Sequence, residues 1–287
     1  MKKVFWCALP LLLLAGCDLL STGAADQSTP LVCMQITETQ DPDALEKLIS
    51  ELRARGLKAA VLVDADFAAR NCQALTALRN EGFEIMAFAR PDEAGGEDLT
   101  LSMLSYEQQQ DLITGVKTAI EECLGETIVG FRCYRFDQDD STCGILDALG
   151  FEFNLGFVAR TDASLPGHRD DTLPYPAPGY GFWAVPMHSV YAGGRWTAFC
   201  DMPFQSLDAA QWEALLQSEL DDMSSRGRPL LVEFHPYYTA VDEGRFQAFV
   251  SFLDYAVGKN ARFMTVAELV QWSQQQGSTG SCPVCTE

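Results

Sequence analysis

The chain has 287 residues, 47% of them hydrophobic, with 20 basic against 40 acidic side chains and a formal net charge of −20. That is enough apolar material for one large domain or two small ones. So acidic a balance argues against nucleic acid and other polyanions as partners, because they need a basic footprint; acidic surfaces suit neutral or cationic ligands, or solubility alone.

Lys2 and Lys3 open the chain and an apolar run, "VFWCALPLLLLAGC", follows. It is too short to span a bilayer as a helix and fits a secretory signal. Its end, "LLAGC", resembles the bacterial lipobox, which implies cleavage before Cys17 and a lipid on that cysteine. We therefore expect a signal peptide over 1–16, a lipidated Cys17 with a polar tether over 17–30, a folded domain over 31–276 and a cysteine-containing tail over 277–287. The expected location is extracytoplasmic, lipid-anchored to the cell membrane.

"LVCMQIT" reads as a first strand. Asp41 and Pro42 then start a helix, which Leu45, Leu48, Ile49 and Leu52 stripe and Gly56 stops. "LKAAVLV" is a buried strand ending at Asp64 and Asp66, with Asp66 expected to cap one helix over "ARNCQALTALRNEG". "FEIMAFA" is the third strand. The loop "RPDEAGGEDLTL" leads to a capping box, Ser105 with Gln108, and a long helix striped by Ile113, Val116, Ile120 and Cys123. A strand ("TIVGFR"), a helix ("DSTCGILDALG") and a strand ("FEFNLGF") come next. A long Pro/Gly-rich loop runs from Ala159 to Gly181, the kind that is usually functional or mobile. Beyond it lie "FWAVPM", the helix "AAQWEALLQSELDDMSSRG", the strand "RPLLVEF", the helix "GRFQAFVSFLDYAV", the short strand "ARFMT" and a last helix that Thr265 and Glu268 cap.

Apolar strands alternating with helices argue for a parallel sheet covered by helices. Seven or eight units suit a deformed barrel, with a doubly wound open sheet as the alternative. In both, ligands bind at the carboxyl ends of the strands, so the residues to weigh are Thr37, Glu38, Asp64, Asp66, Phe88 to Asp92, Arg132 to Arg135, His188 and Glu233 to His235. Of the ten cysteines, Cys7 and Cys17 belong to the leader and the anchor. The other eight lie in a compartment that permits disulfides, and the sequence does not choose among their pairings. The tail motif Cys282-Pro-Val-Cys285 reads as a terminal disulfide or staple.

From about Leu31 to Gln276 the chain resembles the polysaccharide deacetylase (NodB-homology) family. The resemblance is carried by "ALEKLISELRARGLKAAVLV", "ALRNEGFEIMAFARPD", "GETIVGFRCYRF", "CGILDALGFEF", "PLLVEFHP" and "ARFMTVAELVQW". It implies a deformed (β/α) barrel. It also implies hydrolysis of N- or O-acetyl groups on sugars, with a divalent metal activating water and a carboxylate taking its proton. In the family an Asp-Asp pair and two histidines supply base and metal ligands, and a late histidine supplies the acid. Here Thr37 and Glu38 stand at the first pair, and Phe88 and Asp92 at the second. The resemblance thus makes His235, Glu38 and Arg132 the catalytic candidates. No cofactor is expected; a zinc-like metal held by Glu38, Asp92 and His188 is the alternative.

Two roles remain open for His235, a site histidine or a hydrogen-bonded core histidine. Arg132 could hold a carboxylate or a substrate, or neutralise an acidic cavity, and Glu38 with Asp92 could form a carboxylate pair. His168, in the Pro/Gly loop, is expected simply to be exposed. Of the late aromatic residues (Tyr175, Tyr180, Phe182, Trp183, Trp196, Tyr237 and Tyr238), Tyr237, Tyr238 and Trp183 are the candidates to stack on sugar rings. We expect a membrane-anchored carbohydrate-active domain with lost or altered metal-dependent activity. If active, it is a hydrolase of carbon–nitrogen bonds other than peptides; a pseudoenzyme is favoured. Its partners would be an envelope glycan or peptidoglycan-like polymer and the membrane. The alternative is a non-catalytic glycan-binding or envelope interaction lipoprotein on the same scaffold.

Overall fold

The computed structural model describes residues 29–91 and 98–278. The leader, Cys17, Asp92, Cys282 and Cys285 lie outside them. The first half contains β1 (Leu31–Thr37), α1 (Pro42–Ala54), β2 (Ala60–Val63), α2 (Ala65–Arg70), α3 (Cys72–Asn80), β3 (Glu84–Ala89), α4 (Tyr106–Leu124), β4 (Gly130–Cys133), α5 (Asp140–Ala148) and β5 (Phe153–Val158). The second half contains β6 (Tyr175–Pro176), β7 (Trp183–Met187), β8 (Ser189–Ala192), β9 (Arg195–Ala198), α6 (Ala209–Ser225), β10 (Leu230–Phe234), α7 (Pro236–Thr239), α8 (Glu243–Gly258), β11 (Arg262–Phe263) and α9 (Val266–Ser278). The strands order as β10-β1-β2-β3-β4-β5-β7-β6, with β11 added to β1. All pairs in this sheet are parallel except β6 with β7, and β8 and β9 form a separate antiparallel pair.

The sheet curls into a deformed barrel. The segment after β9 spans the gap between β7 and β10: the Phe199 amide donates to the His188 carbonyl (2.8 Å), and the Glu233 amide to the Phe199 carbonyl (3.2 Å). Along each strand alternate residues face opposite sides. Met34, Ile36, Val61, Val63, Phe131, Val232 and Phe234 face the helices. Cys33, Ala60, Leu62, Met86, Phe88, Leu231 and Val185 fill the lumen, whose lower end α9 plugs with Val266, Leu269 and Val270. Gly130 has the same role in β4. A Cβ there would lie 2.5 Å from the Met86 side chain, so only a glycine leaves room for it.

Local signals set the helix ends. The Asp41 carboxylate accepts from the Asp43 and Ala44 amides, and Ser105 and Gln108 form their reciprocal box. Two expectations change. The helix read over "ARNCQALTALRNEG" is two helices, because Asn71 leaves helical geometry and its side-chain amide donates to the Phe67 carbonyl (3.0 Å), a local bond that competes with the helical ladder. The cap of the first of them is Asp64, not Asp66. Cys72, opening α3, is bonded to Cys123 near the end of α4, whereas Cys33, Cys133, Cys143 and Cys200 are buried free thiols. The hairpin of β8 and β9, paired from Ser189 with Ala198 to Ala192 with Arg195, had no counterpart in the sequence reading.

Candidate functional site

The strand alternation that buries Leu231 in the lumen also puts Glu233 and then His235 on that side. On β1 it puts Gln35 and Thr37 there, and on β4 Arg132. Glu233 is fully buried. Its Oε1 accepts from the Thr37 hydroxyl (2.6 Å) and forms an ion pair with Arg132 Nη1. The Arg132 guanidinium lies against the rings of Phe88 (5.5 Å) and Phe136 (4.3 Å). Burial pushes Arg132 down to about 10, which still leaves it cationic at neutral pH. A buried pair of this kind is held by mutual need: losing one partner strands the other, at about 3–5 kcal/mol.

The closing segment carries the other half of the site. Asp201, fully buried, sits beside the end of β10 because its amide donates to the Glu233 carbonyl (3.3 Å). One carboxylate oxygen accepts from His235 Nδ1 (2.6 Å); the other accepts from the His235 amide (2.8 Å) and the Thr239 hydroxyl (2.6 Å). A carboxylate can only accept, so Nδ1 carries the proton in this hydrogen bond. Nε2 lies 3.5 Å from Glu233 Oε1.

Above this chain opens a cavity of about 460 Å³, and both His235 and Arg132 line it. Its polar walls add Thr37, Thr39, Arg90, Tyr134, Arg135 and Tyr237; Phe88, Val158 and Met202 are among its apolar ones. Cys200 lines it too, but burial pushes its thiol up to about 12, so it is no thiolate nucleophile at neutral pH. Of the two arrangements read from sequence His235 has the first, lining the cavity, with its Nδ1 tied to a side-chain carboxylate and not to backbone.

The other candidates lie elsewhere. Glu38 is buried but is not part of the cavity wall: its Oε1 accepts from the amides of Thr39 (2.8 Å), Gln40 (2.7 Å) and Asp41 (3.1 Å), fixing the turn into α1. Strand alternation explains this, since Thr37 takes the lumen side and the next residue takes the other. His188 Nε2 pairs with Glu219 of α6 (2.8 Å) and its ring meets Phe199 edge-on. Trp183 opens β7, at the strand end away from the cavity, and packs on the lower lumen. Tyr238 packs on the Arg245 guanidinium, whereas Tyr237 lines the cavity and is 44% exposed. Asp64 is a cap, and His168 is not simply exposed: it pairs with Asp171 (2.7 Å) and stacks on Tyr175. Among the described residues no group of three His, Cys, Asp or Glu is placed to hold a metal ion.

Sequence reasoning missed Asp201. Its signal was present in "AFCDMPF", an acid directly after an apolar run, but the hairpin that carries this segment to β10 had not been recognised.

No family model matches the chain, and no curated protein matches it in sequence. Solved structures do. A protein of Mycobacterium smegmatis assigned as a polysaccharide deacetylase superposes with a TM-score of 0.64 at 16% identity, covering 97% of this chain and 99% of its own. The Puue allantoinase gives 0.67 at 14% identity, covering 86% and 91%. A CE4-family pseudoenzyme of Bacillus anthracis gives 0.54 at 10% identity, covering 85% and 66%. The chain therefore has the polysaccharide deacetylase fold, a scaffold on which deacetylases, an allantoinase and a pseudoenzyme are all found.

Proposed function

We propose that this chain is a lipid-anchored envelope protein whose barrel mouth engages a cell-envelope glycan, and that it has lost the metal-dependent acetyl hydrolysis associated with its fold. One observation carries this reading. At the positions that the resemblance aligns with the family's base and metal ligands stand Thr37, which donates to Glu233, Glu38, whose Oε1 serves the turn into α1, Phe88, which packs on Arg132, and Asp92, which lies outside the described residues. The Arg132–Glu233 ion pair fills the adjoining lumen. A buried guanidinium already neutralises the carboxylate there, and a phenyl ring offers a metal no donor atom. Among the described residues the side chains at these positions do not fit a divalent metal, and no step is assigned to one.

A cavity with a histidine edge, tyrosines and a partly apolar wall is still a binding site of the usual kind. His235 lines the cavity with its Nδ1 already engaged by Asp201, and Tyr237 offers an exposed ring face for a sugar. Fold likeness alone does not choose between an enzyme and a binding protein, so the test measures both. The full-length protein is mixed with insoluble peptidoglycan and, separately, with N-acetylglucosamine oligosaccharides, with and without zinc, and sedimentation and acetate release are followed. Saturable binding without acetate release is expected. Tyr237→Ala should weaken binding about tenfold, the loss of roughly 1.4 kcal/mol, and His235→Ala by at least as much. Zinc-dependent acetate release would overturn the loss of hydrolysis. Failure to bind any glycan would leave an envelope interaction protein that keeps only the scaffold.

A further inference from the structure

The β8–β9 hairpin continues the cavity wall outward. Its pairs run from Ser189 with Ala198 at the base to Ala192 with Arg195 beside the turn, and directly opposed residues share a face. Gly193 and Gly194 make that turn with φ of 59° and 83°, as a tight two-residue hairpin requires. On one face Val190 and Ala192 pack against the helix-side core. On the other face Ala198 lines the cavity at the base. Trp196 and Tyr191 stand opposite each other on that same face, two residues farther out, about 7 Å along the strand.

The aromatic pair is held in place. Its rings meet edge-on at 5.5 Å, and the Arg160 guanidinium lies over the Trp196 ring at 4.4 Å, a cation–π contact. Arg160 follows β5 between Val158 and Thr161, which both line the cavity. Its backbone is left-handed, with φ of 62°, and its amide donates to the Arg169 carbonyl (2.6 Å). Tyr191 is nevertheless left 61% exposed. A cross-strand aromatic pair steadies a hairpin wherever it stands. This one stands on the cavity side, is fixed by the segment that carries Val158 and Thr161, and leaves one ring open to solvent.

We infer that Tyr191, supported by Trp196, is an outer sugar-stacking subsite, so that the ligand is a glycan chain of several units running from the cavity across the hairpin. This rests on the cavity being the glycan site proposed above. A pyranose ring carries C–H groups on its faces and hydroxyls round its rim, so it can lay an apolar face on an aromatic ring while its hydroxyls stay hydrated. A tyrosine supplies that contact area with few rotors to freeze. The cavity, about 460 Å³, takes a short unit of the chain, and Tyr191 and Trp196 are not part of its wall, so they meet a neighbouring unit. The two-residue turn presents the ring without a long loop to order on binding, which keeps the cost of association low.

Titration calorimetry on the full-length protein, in a detergent without sugar head groups, tests this with the disaccharide and the hexasaccharide of N-acetylglucosamine. The parent should bind the hexasaccharide at least about tenfold more tightly. Tyr191→Ala, checked by its melting curve, should weaken hexasaccharide binding about tenfold, as truncating an aromatic anchor does, and leave disaccharide binding unchanged. Tyr191→Phe, which keeps the ring, should bind both like the parent, whereas Tyr237→Ala, in the cavity, should weaken both. Equal affinity of the parent for the two sugars, a length preference that Tyr191→Ala retains, or an equal loss for both sugars overturns the outer subsite and leaves the glycan reading in place. A loss on Tyr191→Phe equal to that on Tyr191→Ala overturns stacking as its basis. Binding of neither sugar overturns both the subsite and the glycan reading.

Discussion

At the scale of single residues, the site depends on which side of a strand a side chain takes. Thr37 and Glu38 are neighbours in sequence, but only Thr37 reaches the lumen, and Glu38 spends its Oε1 on three amides of the next turn. Another acidic residue shows burial overriding hydrogen bonding. Glu84, at the start of β3, accepts from the Val266 and Ala267 amides at the head of α9 (2.6 and 3.3 Å). Burial nevertheless raises its carboxyl to about 7, with the Val266 and Ala267 bonds opposing and nearby Glu268 adding a smaller push upward. Folded Glu84 therefore holds its proton to higher pH than the unfolded chain, whose value is near 4.5. Its contribution to stability is fully present below that value and is lost as pH rises through about 7. Glu84→Gln, which keeps an acceptor for α9, should flatten this fall and stabilise the protein by about 2 kcal/mol at pH 8. Urea midpoints at pH 5 and pH 8 measure it; a pH dependence equal to that of the parent would show that Glu84 is not its source.

Among the elements, the outer helices are fixed by signals that lie close together in sequence, and by one that does not. Capping boxes start α4 and α6, and stripes such as Ile113, Val116 and Ile120 seat α4 on the sheet. The Cys72–Cys123 bond closes a separation of 51 residues and ties α3 to α4. In the chain-entropy account a loop of that length is worth about 4 kcal/mol, and measured cases usually give 2–4. The double variant Cys72→Ser, Cys123→Ser should lower the urea midpoint accordingly under oxidising conditions, and reductant should lower that of the parent but not of the variant. A midpoint that neither change moves would show that the bond adds nothing to stability. The β8–β9 hairpin has a different task. It returns the chain so that Phe199 to Asp201 can close the barrel and deliver Asp201 to His235.

For the whole molecule, an acidic chain begins with a lipobox-like leader, and the proposed lipid anchor is the feature to test at this scale. Anchoring would place the cavity near the membrane surface, within reach of an envelope polymer across the span of the tether. Cys17→Ser should move the protein from the membrane fraction to the soluble one, with loss of the lipid mass from its N-terminus. A parent protein that fractionates with membranes while carrying no lipid mass would refute the anchor.

The sequence by itself determined the layered architecture. Apolar strands with period-two alternation, amphipathic helices and their caps are local properties, and a curled parallel sheet with helices outside is the way such a chain can bury both kinds of face. It also brought His235 and Arg132 to notice, because both stand at strand ends where a parallel sheet gathers its functional groups. Only the tertiary structure decided what those residues do. Asp201 and Glu233 become partners of His235 and Arg132 through hydrogen bonds between segments 34 residues and about 100 residues apart, and no local pattern encodes such pairings. The same holds for Glu38 and His188, which read as site residues in sequence and serve a turn and a helix in the fold. Strand register and the closing hairpin set which side chains converge, and both come from packing across the whole barrel.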